Sequence, residues 1–372
     1  MRRILILSAP YGAGHARAAE ALACAFGDEG ARVDVVDHFT RFLPPAFVRT
    51  SLMLFWGMLR CAPGLWGLAY EFSARIGPRS PAMAGMERIG AAGLLDHLER
   101  TRPDAVVHVH PTPAGAMSWL RARGATGVPH GIVFTDFAAH PQWIHPGLER
   151  YFVPADAVRA GVVARGIPPD RVVATGLPVD SAFAAPPDRQ ALRTALALPA
   201  DVPVVLVTGG MRGLLRGVAE ACEALAMLDR PFVAVAVCGD HQRLEARLRE
   251  RLGRDRRFRV LGRVPDMARL MGAADLVVSK AGAMTCAEAL AVGRPLLLHR
   301  SLPGQERANE ACLAAAGVAL RARSGRELRR HLEALLCEPA LRAALATTAR
   351  GLRRPEAGRT VAKEMLALLE RA

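Results

Sequence analysis

Two series of short aliphatic runs, each run followed by a helical stretch, constrain this chain more than any other feature. The first series is ILIL at 4–7, VDVV at 33–36, AVVHV at 105–109, GIVF at 131–134 and YFV at 151–153. The second is VPVVLV at 202–207, FVAVAV at 232–237, FRVLG at 258–262, DLVVS at 275–279 and PLLLH at 295–299. Strands that alternate with helices pair in parallel through crossovers, so each series predicts a parallel α/β sheet. Between them, LPVDSAFAAPPDRQ at 177–190 is rich in Pro and Ala and suits neither sheet, which places a hinge there. A length of 372 residues is enough for two cores. The expectation is therefore two Rossmann-like domains facing a cleft, 1–183 and 184–354, with a C-terminal helix at 355–372 returning to the first.

Charge narrows the partners. The net charge is +14, but only two of the 49 basic residues are lysines, Lys280 and Lys363. Residues 1–180 carry 18 basic and 15 acidic side chains, so most of the excess lies in the second half. Its densest stretch, Arg243 to Arg263, has helical spacing with Glu245 and Glu250 interleaved and one aromatic, Phe258. A polyanion groove would interleave stacking residues, so this stretch predicts a solvated helix face and no nucleic-acid partner. The seven cysteines form an odd set without a CxxC pair, as expected of buried, reduced thiols in a cytoplasmic protein. The opening MRRILILSAPYGAGH runs from a short apolar stretch straight into glycines, a first strand rather than a signal peptide.

Residues 42–72 break the α/β rhythm, with seven of the chain's nineteen Phe, Trp and Tyr residues. Two readings stand: a helical insertion packed on the first domain, or an interfacial surface in which Phe47, Phe55, Trp56 and Trp66 dip into lipid beside Arg49 and Arg60. The apolar stretch around Ser51 to Leu59 is too short to span a bilayer.

Two glycine turns carry the chemistry. Gly12 and Gly14 follow the first strand and open an alanine-rich helix, whose free amides and positive dipole end suit a phosphate. A dinucleotide fingerprint needs a third glycine where Arg17 stands, although Asp34 and Asp37 lie at the distance of a ribose-binding acid. His15 sits at the same helix start, as a surface cap or as a group facing a ligand. Gly209 and Gly210, with Arg212, repeat the device in the second series. Further on, Lys280, Gly282, Thr285 and Glu288, then Gln305 and Glu306, lie just past strand ends. Thr285 and Glu288 also have capping-box spacing, so polyol recognition and helix capping both fit them.

GAGH before a helix, TDF followed by His140, Trp143 and His145, TGLPV, GGMRG, KAGAMTCAEAL and PGQERAN occur in this order over residues 3–320. In this the chain closely resembles the diacylglycerol glycosyltransferases, the monogalactosyldiacylglycerol synthases and processive diacylglycerol glucosyltransferases, relatives of the lipid II N-acetylglucosaminyltransferase. The resemblance implies a GT-B fold, an inverting mechanism, a UDP-sugar donor used as substrate without a cofactor, and a diacylglycerol acceptor at the anionic inner face of the cell membrane. It implies ribose recognition by Glu288, sugar recognition by Gln305 and Glu306, uracil at the backbone of Leu261 to Val264, and a catalytic or diphosphate role for His15. His140 and Trp143 fall to the acceptor side. The family usually shows KPGG where this chain has KAGA, with Ala281 and Ala283 in place of Pro and Gly.

Inverting transfer needs a base on one face of the anomeric carbon and charge stabilisation on the other. His15 leads as base with Asp136 in reserve, and Asp136 fits a structural turn equally well. No DxD and no His/Cys set at ligand spacing occurs, so no metal site is expected. Two other functions compete: a UDP-N-acetylglucosamine-using transferase or 2-epimerase of the same fold, of which the 42–72 segment disfavours the epimerase because it needs no lipid surface, and a non-catalytic UDP-sugar sensor.

Overall fold

The computed structural model describes every residue except 76–84, 86, 185–187, 211–215 and 372. It divides into two compact units: Met1–Asp180 with Pro303–Gln305 and Glu356–Ala372, and Ser181–Leu302 with Glu306–Pro355.

The first unit is built on a six-stranded, all-parallel sheet. Its strands are β1 (Arg3–Ser8), β2 (Arg32–Asp37), β3 (Ala105–His108), β4 (His130–Val133), β5 (Arg150–Val153) and β6 (Val172–Ala174), in the order β2-β1-β3-β4-β5-β6. Ile4, Leu5, Ile6 and Leu7 of β1 are buried on both faces, as a central parallel strand requires. The helix after it, α1 (Ala13–Asp28), turns Ala18, Ala19, Leu22 and Phe26 inward, one helical stripe. The terminal helix Ala357–Arg371 lies against α1, where Gly358 leaves room for Ala25: a Cβ there would stand 3.2 Å from the Ala25 Cβ.

The second unit repeats the plan with β7 (Val204–Thr208), β8 (Val233–Val237), β9 (Phe258–Leu261), β10 (Leu276–Ser279), β11 (Leu296–His299) and β12 (Ala319–Ala322), ordered β12-β11-β10-β7-β8-β9. In each sheet strand order reverses once beside the first strand, at β1/β3 and at β7/β10. The crevice past the strand ends at such a switch point is where open α/β sheets bind ligands. The glycine turns lie there, after β1 and after β7.

Four expectations need correction. Two strands, β6 and β12, were absent from the sequence reading; both are short sheet edges, and β12 (ALRA) is broken by a charge. The cysteines are not uniformly buried: Cys24, Cys61 and Cys337 are exposed. The Pro- and Ala-rich stretch is not all connector, because Ser181–Ala184 and Arg189–Ala195 are helical within it. Only the first half of the arginine-rich stretch is a solvated helix, Gln242–Leu252, which buries only Leu248 and pairs Arg247 and Arg251 with Glu223; the second half runs through a turn into β9.

Candidate active site

In the first unit the chain leaves β1 through Gly12, whose φ of 111° is open to glycine and strained for other residues. Gly12 caps α1 without a side-chain bond, which leaves the first-turn amides to a ligand or water. His15 lies in this first turn. Its Nδ1 is 2.8 Å from the carbonyl of Val109, just past β3, and 3.0 Å from Thr135 Oγ1, just past β4. A carbonyl accepts only from N–H, so Nδ1 carries the proton and Nε2 presents a lone pair. Removal from water lowers the His15 pKa to about 4, so the imidazole is neutral at pH 7. The His110 ring packs edge-on at 4.8 Å, and its Nδ1 accepts from Thr112 N–H at the start of the helix Pro111–Ala122. The result is a neutral imidazole of fixed tautomer in the first turn after a central strand.

Asp136 follows Thr135 directly and is half-buried near Tyr70, whose hydroxyl pKa it helps to raise after burial. Asp37, the candidate ribose acid of a dehydrogenase, instead caps the short helix α2 (His38–Phe42) by accepting from Phe39 and Thr40 N–H. Thr135 and the Val109 carbonyl escaped the sequence reading, although Thr135 stood in the TDF motif.

In the second unit Thr208, Gly209, Ser279, Lys280, His299 and Arg300 line a cavity of about 10 Å³, room for one water, at the ends of β7, β10 and β11. Gly210 has φ 76°, again a glycine conformation. Gly282 caps the helix Ala283–Ala291 with no side-chain bond, so this helix too opens on free amides. Thr285 and Glu288 lie inside that helix, which rules out the capping-box reading; Glu288 is 2% exposed. Lys280 Nζ donates to Glu306 Oε1, and Glu306 Oε2 accepts from Leu302 N–H at 2.8 Å. Both Glu306 oxygens are thus engaged, and a sugar hydroxyl would have to share or displace a partner. Glu220, unforeseen, holds His299 Nε2 at 2.7 Å and both arms of Arg300, and these bonds lower its pKa to about 2. Val264 is half-buried just past β9, and Arg212 lies outside the described residues.

The segment 42–72 folds as two helices, α3 (Pro45–Cys61) and α4 (Pro63–Ser73), bent by 112° at Ala62. Among the described residues no single helix is long and apolar enough to cross a membrane. Phe47 is exposed, as are Met53, Leu54, Leu65, Leu68 and Phe72, each of these at 60% or more. Arg49 and Arg60 are exposed beside them. Phe55, Trp56 and Trp66 are half-buried: Phe55 meets Tyr11 of the glycine turn and both tryptophans at ring distances of 5.2 to 5.3 Å. His140 and Trp143 face inward, both 4% exposed. Trp143 stacks on Phe134 and His140 Nε2 donates to the Tyr70 carbonyl, so neither can touch a lipid surface in this structure.

Two all-parallel six-stranded sheets, each with a switch point beside its first strand and a glycine turn past that strand, make this a GT-B fold. The first unit matches the monogalactosyldiacylglycerol (MGDG) synthase family over residues 15–179, and the second matches the glycosyltransferase family 28 C-terminal domain over 204–336. With its relatives, these two domain matches make the chain a glycosyltransferase. It is 28% identical to a processive diacylglycerol beta-glucosyltransferase of Bacillus mycoides (strain KBAB4), over 98% of this chain and 93% of that protein. Among solved structures it shares the fold of Acinetobacter baumannii MurG (TM-score 0.69, 18% identity, all of both chains). It shares it also with S. aureus MnaA in a UDP co-structure (TM-score 0.66, 14% identity, 100% and 97% of the chains).

Proposed function

We propose that the protein moves a hexose from UDP-glucose or UDP-galactose to diacylglycerol, with inversion, to form a glycolipid. The observation that carries this reading is the neutral His15, with its Nδ1 proton fixed on the Val109 carbonyl, in a chain whose curated relatives of nearly full length are named diacylglycerol glucosyltransferases. His15 Nε2 takes the acceptor hydroxyl proton as the oxygen attacks the anomeric carbon. The bond from that carbon to the β-phosphate oxygen breaks, and UDP leaves with the electron pair. Amides at the start of the helix Ala283–Ala291, with Gly209, Gly210 and Lys280, stabilise the departing diphosphate. Glu288 accepts from the ribose hydroxyls and Gln305 addresses the sugar, while Glu306 holds Lys280.

The acceptor is a lipid, and the exposed apolar face of α3 and α4 is the docking surface that brings the enzyme to the bilayer from its cytoplasmic side. Phe47, Leu54, Leu65, Leu68 and Phe72 supply apolar area, and Arg49 and Arg60 meet anionic headgroups, each worth about 1 kcal/mol at such a surface. Thin-layer analysis of lipids from bacterial cells expressing the chain tests the reading. The expected outcome is a new hexosyl-diacylglycerol that disappears with His15→Ala; an unchanged lipid profile with abundant folded protein contradicts it.

A further inference from the structure

The helix α4 is two-sided. Leu65, Leu68 and Phe72 point to solvent, whereas Trp66, Gly67 and Tyr70 meet the segment Pro303–Gln305, which belongs to the same compact unit. Three observations show that the fit is close. The Trp66 indole N–H donates to Gln305 Oε1 at 2.8 Å. A Cβ on Gly67 would stand 2.5 Å from the Pro303 Cβ. Gly304, at φ 89°, leaves no room for a side chain either, since its Cβ would lie 3.0 Å from the indole nitrogen and 3.2 Å from the Tyr70 Cβ.

A primary amide offers a carbonyl and an NH₂ in nearly the same shape, and a freely turning glutamine can present either to a hydroxyl. An indole can only donate, so it accepts only one of the two orientations. We infer that Trp66 is a positioning residue for donor-sugar recognition: it locks Gln305 with Oε1 engaged and leaves the two Nε2 hydrogens as the group offered to a sugar hydroxyl. The inference rests on the reading of Gln305 as the sugar-facing residue. It adds that the orientation of this amide, and with it discrimination between hexoses, is set from helix α4.

Calorimetric binding of UDP, UDP-glucose and UDP-galactose to the full chain tests this without any acceptor, so the result is independent of whether diacylglycerol is the substrate. Trp66→Phe keeps the ring and removes the donor. It should leave UDP affinity unchanged, cost UDP-glucose or UDP-galactose about three- to tenfold, and narrow the difference between them. Gly67→Ala, which favours the helix and pushes Pro303 away, should do the same by another route. In a Gln305→Ala background Trp66→Phe should have no further effect. Sugar-nucleotide affinities within twofold of wild type in both α4 variants, or a Trp66→Phe effect of equal size with and without Gln305, overturn the positioning role. A Gln305→Ala variant that binds every sugar nucleotide like wild type overturns the underlying assignment of Gln305 itself.

Discussion

The proposed role of His15 as a base rests on surroundings that choose both its tautomer and its charge. The Val109 carbonyl takes the Nδ1 proton, and burial lowers the pKa to about 4. Activity that depends on neutral His15 should therefore fall on the acid side near pH 4 rather than near the free value of about 6.5. A kcat/KM profile on enzyme shown to be folded at each pH locates that limb, and a limb near 6.5 would mean another group titrates. His15→Ala should lower turnover about a hundredfold or more with UDP affinity kept; turnover within threefold of wild type would pass the role to Asp136. Glu288 makes a second test. Glu288→Gln should weaken UDP binding by about 1 to 3 kcal/mol, the scale of a charged hydrogen bond, and leave the Tm close to wild type. Unchanged UDP affinity with a lowered Tm would make it a structural carboxylate. Both residues were legible because each stands in a dense motif. The Val109 carbonyl that holds His15 was not, since it is backbone that any residue could supply, nor was Glu220, an unremarkable helix glutamate 79 positions from the His299 it holds.

The α3 and α4 pair shows how far composition reaches at the scale of an element. Counting aromatics marked residues 42–72 as unusual and left core and lipid readings open; the structure gives part of the segment to each. The bend at Ala62 lets Phe55 and Trp66 meet, with Phe55 also against Tyr11 of the glycine turn, while Leu54, Leu65, Leu68, Phe47 and Phe72 take the outer face. A linear sequence holds no record of that bend, so the aromatic rings could not be assigned to a face. Replacing Leu65, Leu68 and Phe72 with serine should reduce binding to vesicles containing phosphatidylglycerol and leave the Tm and UDP affinity near wild type. Burying such side chains in lipid contributes several kcal/mol at about 25 cal/mol per Å². Phe55→Ser should instead lower the Tm, since three ring contacts are lost. Full vesicle binding by the triple variant would remove the outer face from the membrane account.

At the scale of the whole molecule, two α/β sheets were readable from their aliphatic runs, and only edge strands escaped, where one face of pairing suffices and the pattern is weakest. What no run reveals is the set of imidazoles held neutral in the first unit. His130 is lowered to about 3, His108 and His110 well below their usual value, and His38 and His140 also down, all chiefly by burial. The unfolded chain binds these protons first, so stability is intact above about pH 6.5 and is lost as pH falls toward the folded values, by about 1.4 kcal/mol per imidazole per pH unit. All four tryptophans lie in this unit, so tryptophan fluorescence reports its melting alone. Its Tm should drop steeply from pH 7.5 to 5, and a flat Tm over that range would contradict the burial of neutral histidines. The central claim, transfer of a hexose to a lipid, is tested most directly by mass spectrometry of purified protein incubated with dioleoylglycerol in anionic vesicles and either UDP-glucose or UDP-galactose. The account expects diacylglycerol carrying a hexose and an equal amount of UDP released; UDP release with no glycolipid, or neither product from folded enzyme, would contradict it.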